Sequence, residues 1–158
     1  MTLATVEAAL DTMLARVRPL GSELVPLDEA HGRWLADAVR ATRDQPPFDA
    51  SSMDGWALRA PDAIPGAVLS IVGESAAGRS FAGTVMAGQA VRISTGAPLP
   101  AGTDTVVIQE EVTRDGKHIR LNPGPISAVR IRERGGDYRA GECLVEAGHR
   151  LDPWRLAL

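Results

Sequence analysis

The hydrophobic pattern of this chain changes period once. Near the start, Val6, Ala9, Leu10, Met13, Leu14 and Val17 recur at i, i+3, i+4, i+7, i+8 and i+11, which places them on one helix face. Thr5 offers an N-cap, and Gly21 follows the last periodic residue beyond Pro19, so the spacing predicts a helix over 5–18. A helix this short is marginal alone, and its apolar stripe needs a docking surface. Leu24, Val25 and Leu27 predict a short strand edge broken by Pro26. Asp28 is placed to cap a single helical turn ending at His31-Gly32. Trp34 to Val39 reads as a second extended piece. Asp44-Gln45-Pro46-Pro47-Phe48-Asp49 reads as a linker, because two prolines forbid helix and restrict the residues before them.

From about Trp56 to Ile131 the pattern is all-β. Short apolar runs at Val68–Val72, Ala90–Ile93 and Thr105–Ile108 are separated by Gly/Pro/Ser clusters, as in a small barrel or sandwich. Residues 112–121 carry a hairpin signature, with Asp115-Gly116 supplying the turn between alternating arms. After Gly135-Gly136 come strand-and-turn segments at 142–145 and 148–151. The expected fold is therefore α+β but mostly β. A small barrel-like β-domain, 44–136, is inserted in an outer region made of 1–43 and 137–158. At the end, Asp152 suits an N-cap and Pro153 suits the first helical position, so a helix is expected to open there. An apolar helix start without a body reads as a cut; a short helix packed on the domain is the other reading.

Composition narrows the classes. Hydrophobic residues make up 44% and charged residues 23%, as in ordinary globular domains, while aromatics at 4% leave the core to Val, Leu, Ile and Ala. The net charge of −3 argues against a nucleic-acid binder. No apolar run approaches the roughly 20 residues that span a bilayer. The first 15 residues lack a basic signal-peptide region. The single cysteine, Cys143, excludes an intramolecular disulfide framework. Together these point to a reducing cytoplasm. Cys143 reads as a buried or half-buried strand residue. His31, His118 and His149 lack metal-ligand spacing, and Ser51, Ser52 and Ser94 lack a nearby base.

Three segments carry candidate chemistry. In Pro47 to Arg59, Asp54-Gly55 favours a bend, after which Trp56 and Leu58 share a face. A carboxylate there is either pre-positioned toward a neighbour or spent on local backbone N–H groups. In Arg92 to Pro100, a strand ends in the hydroxyl pair Ser94-Thr95, and Gly96 permits close backbone approach. That arrangement suits an anion, or is simply a strand-to-turn transition. In Arg130 to Asp137, period two puts Arg130, Arg132 and Arg134 on one strand face. Three guanidinium groups in a row attract phosphate or oxyanions, or form a solvated edge.

In this order the segments resemble a known family. Ser-x-Met-Asp54-Gly-aromatic-Ala, Thr95-Gly96-Ala97-Pro98-x-Pro100 and Arg134-Gly-x-Asp137 are similar to the three signatures of the molybdopterin molybdenumtransferases, the MoeA and gephyrin E-domain family. Gly32-Arg33-x-Leu35-Ala36 also matches, so the resemblance runs from end to end of the chain. One departure is Gly136, where relatives often carry Glu.

The resemblance implies a Mg²⁺-dependent step of molybdenum-cofactor synthesis, in which molybdate is inserted into adenylated molybdopterin and AMP is released. It implies an elongated homodimer, with 1–43 and 137–158 as its dimerisation region and other molybdenum-cofactor enzymes as further partners; neither nucleic acid nor membrane is expected. Asp54, Thr95 and Asp137 would be catalytic, and Ser94, Gly96 and Arg134 would bind cofactor. Asp54 would hold Mg²⁺, through water, because a carboxylate repels molybdate directly. Thr95 could donate to an oxyanion or orient a water. The family's large α/β domain would follow about where Leu158 stands and is expected to be missing here, since no Gly-rich phosphate loop is found within 1–158. The chain alone is then expected to be inactive. The competing reading is a stand-alone dimeric scaffold module with this fold and no catalysis.

Overall fold

The computed structural model describes residues 5–18, 20–126 and 130–158. In chain order the elements are α1 (Val6–Leu14), β1 (Val39–Arg40), β2 (Ala50–Ser51), β3 (Gly55–Leu58), β4 (Val68–Ser75), β5 (Gln89–Ile93), β6 (Thr105–Ile108), β7 (Val112–Asp115), β8 (His118–Leu121), β9 (Ile131–Arg132), β10 (Cys143–Val145) and α2 (Pro153–Leu156). Short 3₁₀ turns lie at Leu27–Glu29, Ala60–Asp62 and Gln109–Glu111. The chain divides into two compact units, one of residues up to 39 with those from 144 on, the other of 40–143.

In the first unit, α1 begins where expected: Thr5 accepts a hydrogen bond from the Ala8 amide at 3.2 Å. It ends four residues before the predicted boundary at 18. Beyond Leu14 the amides of Arg16 and Val17 reach back only three residues, to Met13 and Leu14. Arg18 precedes a proline, which disfavours its helical conformation and tightens the exit. Val17 therefore falls outside the helix. None of the helix side chains is buried, and Val6 and Met13 stand 80% and 66% exposed.

The strand edge expected at Leu24–Leu27 is not formed, and Leu24 is fully exposed. Pro26 has no N–H to give a ladder, and Leu27 already belongs to the 3₁₀ turn. Asp28 lies inside that turn rather than capping it, because Pro26 holds the cap position. The two arms of this unit are stitched by backbone bonds between 32–35 and 148–151, including Gly32 N–H to Leu151 and Leu35 N–H to His149. Asp152 caps α2 as expected, accepting from the Arg155 amide at 2.9 Å.

The second unit is built on a six-stranded sheet, ordered β6-β3-β5-β4-β8-β7 and curled into half a barrel. The three apolar runs become β4, β5 and β6, and the hairpin becomes β7–β8. Asp115 pairs with His118, so the two turn residues are Gly116 and Lys117, with φ +56° at Gly116. β4 and β5 run parallel, unlike their antiparallel neighbours.

Period two sorts the core onto two faces. Trp56, Leu58, Leu69, Val107, Ile119 and Leu121 pack together on one side, while Ala57, Ile93, Ala97 and Val106 cluster on the other. β3 is buried along its whole length between β5 and β6. At Gly55 a Cβ would lie 2.1 Å from the Val107 carbonyl oxygen. Only glycine lets the two backbones approach that closely.

The segment 44–49 has no helix but is not a loose linker. Asp44 accepts from the Ala140 amide at 2.9 Å and Arg134 Nε at 2.6 Å, and Asp49 accepts from the Arg134 amide at 2.8 Å. The prolines remove donors, and the flanking carboxylates replace that lost bonding with fixed acceptors.

Candidate active site

The two-residue strand β2 organises the three segments singled out in the sequence. On one side it pairs antiparallel with β9, Ala50 opposite Arg132 and Ser51 opposite Ile131. On the other side the Gly96 amide donates to the Ser51 carbonyl at 2.8 Å and the Ser51 amide to the Ala97 carbonyl at 3.0 Å. Gly96 has φ +79°, which lets the chain turn back onto β2. The Ser51 hydroxyl is buried and donates to the Met53 carbonyl at 2.6 Å, shaping the bend that delivers Asp54.

Asp54 is exposed at the entrance to β3. Its Oδ1 accepts from the Thr95 amide at 2.7 Å and from Thr95 Oγ1 at 3.1 Å. Both bonds favour the charged form. Together with the nearby Arg92 guanidinium they hold the Asp54 carboxyl below its ordinary value. An ionised carboxylate only accepts, so the Thr95 hydroxyl proton is committed to Asp54. In this arrangement the Thr95 oxygen is left to accept, which of the two expected roles suits the orientation of a water. Asp54 is also not spent on neighbouring backbone groups, since the amide it accepts from lies 41 residues away.

The third segment departs from the predicted row of three arginines. β9 stops at Arg132, and Arg134 sits in the turn that follows, off the strand face. Arg132 Nη2 holds both oxygens of Asp137, at 2.7 and 2.8 Å, while Arg134 is tied to Asp44. The Ala140 amide and the Arg134 bond hold the Asp44 carboxyl below its ordinary value. Arg132 and Arg134 are thus already matched by carboxylates.

A cleft of about 390 Å³ opens beside β2, lined by Gln45, Phe48, Ser52, Thr95, Gly96 and Arg132. It brings all three segments together, Phe48 and Ser52 from the first, Thr95 and Gly96 from the second and Arg132 from the third, with Asp54 and Asp137 each one bond behind its wall, on Thr95 and Arg132. A larger cavity of about 680 Å³ lies in the first unit, among Leu20, Val25, Trp34 and Leu151. Its ion pair, Arg33 with Glu23, is exposed, and no candidate residue borders it. Among the described residues no group of three or more His, Cys, Asp or Glu side chains is placed to hold a metal ion.

Residues 4–158 match the family model described as MoeA N-terminal region (domain I and II). The chain belongs to this family. It is 37% identical to a molybdopterin molybdenumtransferase of Haemophilus influenzae, over 99% of this chain and 39% of that protein. A namesake from Synechococcus elongatus is 38% identical over 99% of the chain and 41% of its own length. A crystal structure of the molybdopterin biosynthesis moeA protein from Pyrococcus horikoshii OT3 superposes with a TM-score of 0.87 at 33% identity, covering 99% of this chain and 43% of that one. The chain spans about two-fifths of the length of these relatives.

Within this MoeA N-terminal region the six site residues named from the sequence fall into three groups. Asp54 and Thr95 are directly bonded. Gly96 lines the cleft beside Thr95, whereas Ser94 is partly buried and its amide donates to Ser75 at 3.1 Å. Asp137 and Arg134 are both engaged in ion pairs, with Arg132 and Asp44.

Sequence reasoning missed Asp44 as an anchor and Arg92 and Gln109 as neighbours of Asp54. Arg92 Nη1 donates to the Gly55 carbonyl at 2.9 Å and Nη2 to Gln109 Oε1 at 2.8 Å. The available signal was an arginine three residues before Thr95. Its relation to Gly55 needs the β3–β5 register, which no local pattern states.

Proposed function

We propose that this chain supplies one wall of the active site of a molybdopterin molybdenumtransferase acting in molybdenum-cofactor biosynthesis. The reaction is insertion of molybdate into adenylated molybdopterin with release of AMP. The observation that carries the reading is the Asp54 carboxylate, exposed, kept ionised and fixed by Thr95 at the edge of a cleft. The match to the MoeA N-terminal region and the names of the relatives supply the reaction class.

The donor set fits Mg²⁺ of a particular kind. One carboxylate, with Oδ1 occupied by Thr95 and no cluster of further ligands among the described residues, suits an ion that keeps most of its waters and takes the rest of its oxygens from substrate. Asp54 would hold it, and the bound ion would polarise a phosphoryl or molybdate oxygen. Thr95 keeps the carboxylate oriented, and Gly96 leaves room for backbone approach. Asp137 keeps Arg132 fixed at the opposite wall, and Arg134 ties that turn to Asp44.

The pterin and nucleotide sites belong, on this reading, to the large α/β domain of a second subunit in a homodimer. This segment alone is then inactive. The exposed Val6, Leu10 and Met13 of α1 support a role in association.

The test is a chimera in which this chain replaces the matching region of the Haemophilus influenzae relative, assayed for molybdenum insertion beside the chain alone. The chimera should be active and the chain alone silent. In the chimera, Asp54→Asn should abolish insertion while leaving sedimentation as a dimer unchanged. Wild-type insertion by that variant removes Asp54 from the mechanism, and insertion by the isolated chain refutes its dependence on the second domain.

A further inference from the structure

Arg92 lies on β5, three residues before Thr95 and opposite Trp56 in the β3–β5 register. Its guanidinium makes two directed bonds, to the carbonyl of Gly55 and to the side-chain oxygen of Gln109. The same group stands over the Trp56 ring, 5.7 Å from its centroid, within the range of cation–π attraction. Gln109 in turn donates its backbone N–H to the Asp54 carbonyl at 3.1 Å. One arm of the fork thus holds the residue that follows Asp54. The other holds the residue whose amide holds Asp54 itself. Thr95, just past the end of the strand that carries Arg92, closes the frame by gripping Oδ1.

We infer that Arg92 is a positioning residue, whose planar fork fixes Gly55 and Gln109 so that the Asp54 carboxylate is presented in one orientation against Thr95. This rests on the reading of Asp54 as a working carboxylate. Arg92 touches no reacting group; it acts through three neighbours. Position matters here because a misplacement of about 1 Å costs on the order of a hundredfold in rate. Charge alone does not explain the residue. A lysine at this site would preserve the cation, but its single compact ammonium cannot span the Gly55 and Gln109 oxygens as a plane or stack flat on Trp56. Arg92 also helps hold the Asp54 carboxyl low, behind the two bonds from Thr95.

Arg92→Lys separates position from charge. In the isotope-labelled chain, the amide resonances of Thr95 and Gln109 should shift, while those of 148–151 in the first unit stay in place. In the chimera, kcat should fall on the order of tenfold to a hundredfold with little change in KM. Amide positions like those of the unsubstituted chain, or an unchanged kcat, would overturn the inference. If Arg92→Lys fails to fold, Gln109→Ala removes one arm at an exposed position. It should move the Thr95 amide in the same direction and lower kcat less; no movement overturns the inference equally. The two readings fail differently: full activity in Asp54→Asn sinks the role of Asp54 yet leaves the amide shifts of Arg92→Lys intact.

Discussion

Gly55→Ala should be the most damaging single-methyl change in the β-unit. The added Cβ would sit 2.1 Å from the Val107 carbonyl oxygen, 2.9 Å from the Val107 carbonyl carbon and 3.0 Å from the Ile108 Cα. Every one of these atoms is backbone, so no side chain can swing away. An ordinary contact begins near 3.4 Å, so β6 must retreat by about 1.3 Å, the difference between 3.4 and 2.1 Å. Neighbouring strands sit only about 4.8 Å apart, and a retreat of that size breaks ladder bonds where Gly55 and Trp56 face Ile108 and Val107. Overpacking costs about 1–3 kcal/mol and each lost hydrogen bond about 1 kcal/mol, giving roughly 3–5 kcal/mol. Set against a total stability of about 5–15 kcal/mol, that is a large share. The assay is urea unfolding followed by tryptophan fluorescence. Trp56 is 4% exposed while Trp34 and Trp154 are 69% and 86% exposed, so the signal reports mainly on this sheet. The midpoint should drop by about 1 M or more, with an unchanged slope. A variant whose midpoint coincides with that of the unsubstituted chain would refute the account of why glycine stands there.

Thr105→Val should be neutral or stabilising by about 1 kcal/mol in the same assay, because the Thr105 hydroxyl oxygen is buried without a hydrogen-bond partner; a clear loss would reveal a bond this geometry lacks. Leu58→Ala, at a fully buried position beside Trp56, should cost about 2–5 kcal/mol, measured as a fall in urea midpoint. The carboxyls of Asp44 and Asp54 are held below the ordinary 3.8 in the folded chain, so their contribution to stability is complete above that value and is lost as the pH falls through the lowered ones. Melting temperature should therefore be insensitive to these groups near neutrality and fall in acid. Asp44→Asn should flatten that acid limb, and an unchanged acid limb would count against the Ala140 and Arg134 bonds.

The sheet was legible because its strands obey a local rule. Val68–Val72, Ala90–Ile93 and Thr105–Ile108 stand out as short apolar runs because the sheet carries core on both faces, so that neighbours such as Val106 and Val107 are both buried, and Gly116 marks its own turn. The parallel pairing of β4 with β5 was not legible, since an apolar run states that a strand is buried but not which strand lies alongside or in which direction. The same limit hid Arg92, whose partners arrive from β3 and from the turn after β6. The arginine row failed for a different reason. Period two assumes a strand that continues, and the turn beginning at Arg134 ends it. The prolines at 46 and 47 correctly excluded helix, yet suggested a loose connection. What fixes that segment is Asp44 and Asp49 binding residues some 90 positions away, a tertiary fact with no local signature.

β2 is two residues long, yet 96–98 press on one side of it and 130–132 on the other. The three signature segments are therefore not independent modules that selection or an engineer can exchange one at a time. Replacing the loop at 94–98 alone would leave Ser51 without its backbone partners and shift the bend that carries Asp54. Variants combining changes in two of the segments should show effects far from the sum of the singles. A transplant of this half-site to another scaffold would have to carry all three strips of chain, with Ala50 and Ser51 between them, as one indivisible graft.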